Sequence, residues 1–280
     1  MIMNKVWFVT GASRGIGFEV AKAALASGDR VVATARKCAE LAASLGGDEG
    51  NLLALELDVG DKDAIRSAVA AAIAHFGRID VLVNNAGYGQ LGLFEECDEA
   101  RVRRQFEVNV FGLFNVTRAV LPHMRRQRSG CIFNLSSTAG VRGLAGGSLY
   151  CASKFAVEGF SESLALEVAP FGIRVVIVRP GPFRTDFLDP SSVDYGDQSI
   201  EDYAESSASL RAEMGGRNHL QAGDPAKLGA ALVELAGRRD APLRFAAGSN
   251  ALGVVSDKIA LLASELEAWR PLSASTDGDY

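Results

Sequence analysis

The chain has 280 residues, 48% of them apolar and 22% charged, with a formal net charge of -5 and a pI near 5.4. That composition suits a folded protein with a sizeable core, and its acidic balance argues against nucleic acid as a partner. There is no 18-residue apolar run and no basic leader ahead of a long apolar stretch, so a cytoplasmic protein with no membrane partner is expected.

Val6 to Thr10 reads as a short buried strand that runs into Gly11-Ala-Ser13-Arg14-Gly15-Ile16-Gly17. A helical pattern follows until Gly28, and Arg30 to Ala35 forms a second strand of small and β-branched residues. Cys38 to Leu45 is expected as a short helix closed by Gly46-Gly47. Leu52 to Leu57 gives a third strand, ending at Asp58, and Asp61 to Phe76 an Ala-rich amphipathic helix stopped by Gly77. Val81 to Val83 meets Asn84-Asn85-Ala86-Gly87. Helical patterns then cover about Glu99 to Arg128, with Pro122 as a kink point and Arg125, Arg126 and Arg128 meeting the negative end of the helix dipole.

Cys131 to Leu135 is the next strand, Leu149 to Pro170 the next helix, and Val175 to Val178 a strand ended by Arg179-Pro180-Gly181-Pro182. From Asp186 to about Gly223 the chain turns polar with little sheet signal. A segment that long inside a compact domain predicts a lid with short helices. Order resumes at Asp224-Pro225 as a helix start, followed by a strand near Leu243 to Ala246, a helix from about Ala251 to Trp269 and a polar, frayed tail from Ser273 to Tyr280.

Strand and helix alternate at least six times, and the apolar runs are too continuous for a half-exposed sheet. This predicts an α/β fold: one domain over residues 1–280, a Rossmann-type doubly wound parallel sheet of about seven strands with helices on both faces. Ligands of such folds bind outside the carboxyl ends of the strands, where the Gly, Asn, Ser and Tyr clusters fall. Four cysteines (Cys38, Cys97, Cys131, Cys151) lack paired spacing and read as reduced thiols. Three distant histidines (His75, His123, His219) give no ligand spacing, so no metal is expected.

Tyr150 and Lys154 are one helical turn apart and share a helix face. A nearby ammonium is expected to lower the phenol pKa and make it a usable acid/base, with a Ser137 hydroxyl able to hold a substrate oxygen beside it. The glycine run between strand and helix is a setting in which backbone N–H groups cradle a pyrophosphate. It also contains Gly11-Ala-Ser13-Arg14-Gly15, a match to a hydrolase nucleophile elbow, but no Gly-rich oxyanion segment accompanies it and His219 sits in a polar stretch. An NAD site wants an acid at the end of the second strand. Here that region reads Ala33-Thr34-Ala35-Arg36-Lys37, so NADP(H) is expected over NAD(H), with Arg36 and Arg14 holding the 2′-phosphate; the plain alternative is two surface arginines.

Thr10-Gly11-x-x-x-Gly15-x-Gly17, Asp58, Asn84-Asn85-Ala86-Gly87, Asn109, Ser137, Tyr150-x-x-x-Lys154 and Pro180-Gly181-x-x-x-Thr185 resemble, in content and order, the short-chain dehydrogenase/reductase family over roughly Lys5 to Thr185. The Pro180 to Thr185 segment and the long C-terminal helix look like its hydroxysteroid-dehydrogenase-like branch. The resemblance implies Tyr150 as proton donor or acceptor, and Lys154 lowering its pKa and bonding the nicotinamide ribose. It implies Ser137, rather than Ser136, orienting the substrate oxygen, and Asn109 holding a water that links Lys154 to solvent. For the cofactor it implies the glycine loop with Ser13 and Ile16, Asp58 and Val59 at adenine, and Asn85, Ala86 and Gly87 along the channel. Pro180, Gly181, Phe183 and Thr185 would lie at the carboxamide end; Phe183 stands where the family commonly has a smaller aliphatic residue.

Hydride exchange between a nicotinamide and a carbonyl or alcohol is therefore expected, with reduction as the cellular direction; the alternative is a non-catalytic NADP(H)-sensing or scaffold protein of the same fold. Phe187, Leu188, Tyr195, Phe94 and Leu144 predict a mainly apolar carbonyl or alcohol as the small-molecule partner. The family's usual pairing through Phe111 to Arg128 and Leu149 to Pro170 implies a homodimer or homotetramer.

Overall fold

The computed structural model describes residues 4–46, 48, 50–189, 191–196 and 198–278. Gly47, expected to help close a helix, lies outside them, as do Pro190 and Asp197 of the lid segment and Asp279 and Tyr280 of the tail. The chain runs β1 (Val6–Thr10), α1 (Gly15–Ala26), β2 (Arg30–Ala35), α2 (Leu41–Leu45), β3 (Leu52–Glu56), α3 (Lys62–Phe76), β4 (Val81–Asn84) and β5 (Gly89–Leu91). It continues with α4 (Glu99–Phe106), a widened π-helical stretch (Glu107–Gly112), α5 (Leu113–Gln127), β6 (Gly130–Leu135), α6 (Ser148–Val168) and β7 (Ile173–Pro180). Last come β8 (Val193–Tyr195), α7 (Ala204–Gly216), α8 (Pro225–Gly237), β9 (Arg244–Ala247) and α9 (Ser249–Ala274).

Seven strands form one parallel sheet in the order β3-β2-β1-β4-β6-β7-β9. Strand alternation sends Trp7 and Val9 to one face, where Val20, Ala24, Leu228 and Leu232 of α1 and α8 meet them. Val6 and Phe8 go to the other face, against Ile65, Val69, Val116, Val120 and Leu164 of α3, α5 and α6. Each face is sealed by helices, which is why the strands carry unbroken apolar runs.

The chain leaves β1 in one direction to build β2 and β3, then returns to the other side with β4. The crevice at the carboxyl ends of β1 and β4 is thus the switch point of the sheet. Caps act where the sequence placed them: the Asp61 carboxylate accepts from Asp63 and Ala64 N–H, and Asp224 from Ala226 and Lys227.

Several expectations need correction. The short helix begins at Leu41 rather than Cys38, and β7 spans Ile173–Pro180, beyond the four residues expected. The lid segment does hold helix, chiefly α7, but also a strand: β8 pairs in parallel with β5, Gly89 opposite Val193 and Leu91 opposite Tyr195. Three-residue strands with a partner some hundred positions away leave no periodicity to detect. Helix α9 runs to Ala274, past both Trp269 and the start of the expected frayed tail.

Candidate active site

One continuous cavity of about 480 Å³ opens at the switch point. Its walls include Gly11, Ser13, Arg14, Gly15 and Ile16; Arg36, Asp58 and Val59; Asn85, Ala86 and Gly87; Ser137, Tyr150 and Lys154; and Pro180, Gly181, Phe183 and Thr185. Of the residues singled out in the sequence, Gly17 and Asn109 lie behind the wall, both buried.

The glycine loop is shaped by close approaches. Gly11 has φ +66°, and a Cβ there would sit 2.9 Å from the Ala86 Cα; a Cβ on Gly17 would come within 2.5 Å of the Gly11 carbonyl oxygen and collide with the Asn85 amide. Asn85 donates from Nδ2 to the Thr10 and Gly11 carbonyls at 2.9 and 3.0 Å, and the Thr10 hydroxyl accepts from Asn85 and Ala86 N–H. Asn85 therefore ties β4 to the loop as well as facing the cavity. Helix α1 starts at Gly15 with no side-chain cap, and nothing acidic stands in its first turn. Backbone N–H groups and the positive end of the helix dipole are thus turned toward this end of the cavity, a fit for a pyrophosphate.

At the far end, Arg36 is exposed and its guanidinium has no hydrogen-bond or ion-pair partner among the described residues. Arg14 does not join it. Its guanidinium donates to the Ser191 hydroxyl at 2.8 Å and the Ser191 carbonyl at 3.0 Å, fastening the glycine loop to the lid. Asp58 accepts from Gly60 N–H at 2.8 Å and pairs with Arg104 at 3.4 Å. Arg104 also lines this end, a neighbour no spacing rule revealed.

At the other end, Lys154 is 7% exposed and donates from Nζ to the Leu135 carbonyl at 2.7 Å. Its Nζ lies 5.7 Å from the centroid of the Tyr150 ring, so the two side chains do share a helix face. Burial pulls the lysine down to about 8, opposed by Glu158, one turn further along α6. Burial pushes Tyr150 up to about 12, against a hydrogen bond with Ser137 that pulls it down. The lowering of the phenol expected from Lys154 is not seen: desolvation dominates, and the pull downward comes from Ser137. Ser137 caps the turn after β6, its Oγ accepting from Ala139 N–H at 3.1 Å. Ser136 also reaches the cavity wall, but its Oγ is buried with no hydrogen-bond partner among the described residues.

Asn109 sits in the π-helical stretch, where one extra residue per turn re-aims a side chain. Its Oδ1 accepts from Tyr88 N–H at 3.1 Å, and its Nδ2 donates to the Tyr88 carbonyl at 2.9 Å and to Ser153 Oγ at 3.4 Å. Its amide is thereby bound to the loop after Gly87. Behind the site, Asn84 Nδ2 donates to Asn134 Oδ1 and Thr117 Oγ1, and Asn134 donates to Ser161. This buried polar chain joins β4, β6, α5 and α6; the expected strand stopped at Val83, one residue short of Asn84.

The lid covers the tyrosine. The Phe187 ring lies 5.4 Å from that of Tyr150, and Leu188, Leu144, Tyr88, Leu91 and Met214 complete a largely apolar wall. Phe94 is 62% exposed and outside the cavity, and the Tyr195 ring sits under Arg211 instead, so neither shapes it. The size of Phe183 is accommodated by glycine: a Cβ on Gly223 would lie 2.7 Å from its ring. Thr185 caps the next turn by accepting from Phe187 N–H at 3.3 Å. Folding also brings Asp186, Asp189 and His219 together, residues too scattered to suggest a group in sequence; Asp189 Oδ1 is already engaged by Asn218 and His219.

The family model for short chain dehydrogenases matches residues 5–195. An oxidoreductase of Botryotinia fuckeliana (strain B05.10) is 38% identical over 98% of this chain and 100% of its own. A 3-ketodihydrosphingosine reductase of Bacteroides thetaiotaomicron is 39% identical over 87% of this chain and 88% of its own. The solved structure of a short-chain dehydrogenase from Streptomyces avermitilis matches with a TM-score of 0.89 and 42% identity, over 99% of this chain and 100% of that one. Sheet order, glycine loop and these likenesses agree: the chain belongs to the short-chain dehydrogenase family of oxidoreductases.

Proposed function

We propose that the protein is an NADP(H)-dependent reductase of a mainly apolar ketone or aldehyde, with Tyr150 as the acid/base. The observation that carries this reading is the continuity of this cavity. It runs from Arg36 and Asp58, past the uncapped start of α1, to Ser137, Tyr150 and Lys154 beneath the apolar lid. When bound, a nicotinamide dinucleotide supplies the hydride. Gly11 to Ile16 would hold its phosphates, Asp58 and Val59 the adenine, and Pro180 to Thr185 the opposite end.

Tyr150 would give its proton to the carbonyl oxygen as the carbon is reduced, while Ser137 holds that oxygen in place. The Tyr150 phenol keeps its proton at neutral pH, but burial makes it a weaker acid than usual, so its release needs positive charge beside it. Lys154, anchored at Leu135, would bring positive charge to the phenolate as it forms. Asn109 would act through the Tyr88 backbone and Ser153, steadying the helix turn beside Lys154.

NADP(H) is favoured over NAD(H) by Arg36, which stands at the end of β2 where an acid would hold a ribose hydroxyl. Replacing it by alanine is expected to raise the Km for NADPH tenfold or more and leave that for NADH nearly unchanged, a loss of about 1.4 kcal/mol or more. Equal effects on both cofactors, or tighter wild-type binding of NADH, would contradict the assignment. The Bacteroides relative puts 3-ketodihydrosphingosine first in the panel of carbonyl compounds to assay. Exposed Phe155 and Leu166 on α6, with exposed Phe111 beside α5, support a homodimer or homotetramer paired through that face.

A further inference from the structure

Helix α9 leaves the body of the molecule almost at once. Ala251 and Val254 are buried near its start, and Asn250 packs against Gly181 of the cavity wall. From Ile259 to Ala274 every residue is exposed. A solvated helix of this kind should be polar, yet Leu252, Ile259, Leu262, Leu266 and Trp269 are each at least half exposed. With Val255, half-buried at the root, they follow each other at alternating steps of three and four residues. That spacing puts six apolar side chains on one stripe about 26 Å long, the seam that a second helix packs into with knobs in holes.

We propose that α9 docks on α9 of a second copy of this chain, antiparallel about a two-fold axis. A two-fold pair requires a self-complementary surface, and this stripe is one. With the axis between Ala260 and Leu261, Leu252 meets the partner's Trp269, Val255 the partner's Leu266, and Ile259 the partner's Leu262. Ala263, on the flank of the stripe, allows close approach. On the flank, Lys258 falls beside the partner's Glu265, and the symmetric pair repeats it. A parallel arrangement would bring the two bodies together at Leu252, where the helix roots are, whereas the antiparallel one sets them at opposite ends. A membrane surface fits less well: the exposed length carries Asp257, Glu265 and Glu267 against Lys258 and Arg270, while interfacial helices present a basic polar face.

The test is light scattering on the full chain during size-exclusion chromatography, comparing wild type with the double variant Leu262→Glu/Leu266→Glu. Both positions are exposed, so the thermal midpoint checks that folding is retained. The mass is expected to halve. Leu166→Glu on α6 separates this contact from the pairing through α5 and α6, since it disrupts only the latter. Lys258→Glu is expected to raise the α9-dependent dissociation constant several-fold, and adding Glu265→Lys to restore it. An unchanged mass in the double variant, a monomeric wild type, or silence of Lys258→Glu would overturn the antiparallel pair. So would flotation of the wild type, lost in the double variant, with vesicles of phosphatidylcholine and phosphatidylglycerol when the mass does not change.

Discussion

Tyr150 and Lys154 illustrate how burial and pairing compete at a single helix turn. The lysine is nearly fully buried, which disfavours its charged form, while the Leu135 carbonyl that accepts from its ammonium and the nearby Glu158 carboxylate favour that form. Its folded pKa of about 8 lies below the ordinary 10.5, so the penalty for burying the charge is full below pH 8 and is relieved as pH rises from 8 to 10.5. Relative to Lys154→Met, the cofactor-free wild type is therefore expected to gain on the order of 3 kcal/mol of unfolding free energy between pH 7 and pH 10.5. Denaturant titrations across that range check it; parallel pH profiles for the two proteins would contradict the shift. Ser137→Ala removes the hydroxyl beside the phenol and is expected to lower kcat by about 10²–10³-fold. Cofactor affinity, measured by fluorescence titration, should stay within about twofold.

Among the elements, the loop between β1 and α1 has the least room for change. In a helix, Gly→Ala ordinarily stabilises by about 1 kcal/mol. At Gly17 the added methyl would meet the Gly11 carbonyl and the Asn85 amide, so Gly17→Ala is expected to cost about 1–3 kcal/mol and weaken dinucleotide binding. Thermal unfolding and NADPH titration read the two effects; a more stable variant with unchanged affinity would contradict the packing account. Long, regular elements were legible in sequence because periodicity and caps act locally. Asp61 and Asp224 announced α3 and α8, and Arg30 to Ala35 is the second strand as observed. What escaped depended on distant partners: β8 needs Gly89–Leu91, Phe183 needs Gly223, and Arg14 was read with Arg36 although it is bound by Ser191. The π-helical stretch had no signal in the helical pattern; within it, Asn109 bonds the Tyr88 backbone.

At the scale of the whole molecule, the sheet order gathers residues spread from Gly11 to Thr185 around one cavity. Motif order revealed the family from sequence, but it could not reveal which lid residues face the tyrosine. Phe187 does, while Tyr195 sits in the β5–β8 pair beneath Arg211, and Phe94, outside the lid, is exposed. The central claim is that this cavity reduces a carbonyl with Tyr150 as proton donor. The direct measurement is the fall in absorbance of NADPH with apolar ketones and aldehydes, 3-ketodihydrosphingosine included, for wild type and Tyr150→Phe at equal cofactor occupancy. The expected result is NADPH oxidation by the wild type, reduced about 10³-fold or more in the variant with cofactor affinity retained. Substantial turnover by Tyr150→Phe, or tight NADPH binding with no carbonyl reduced by the wild type, would contradict it.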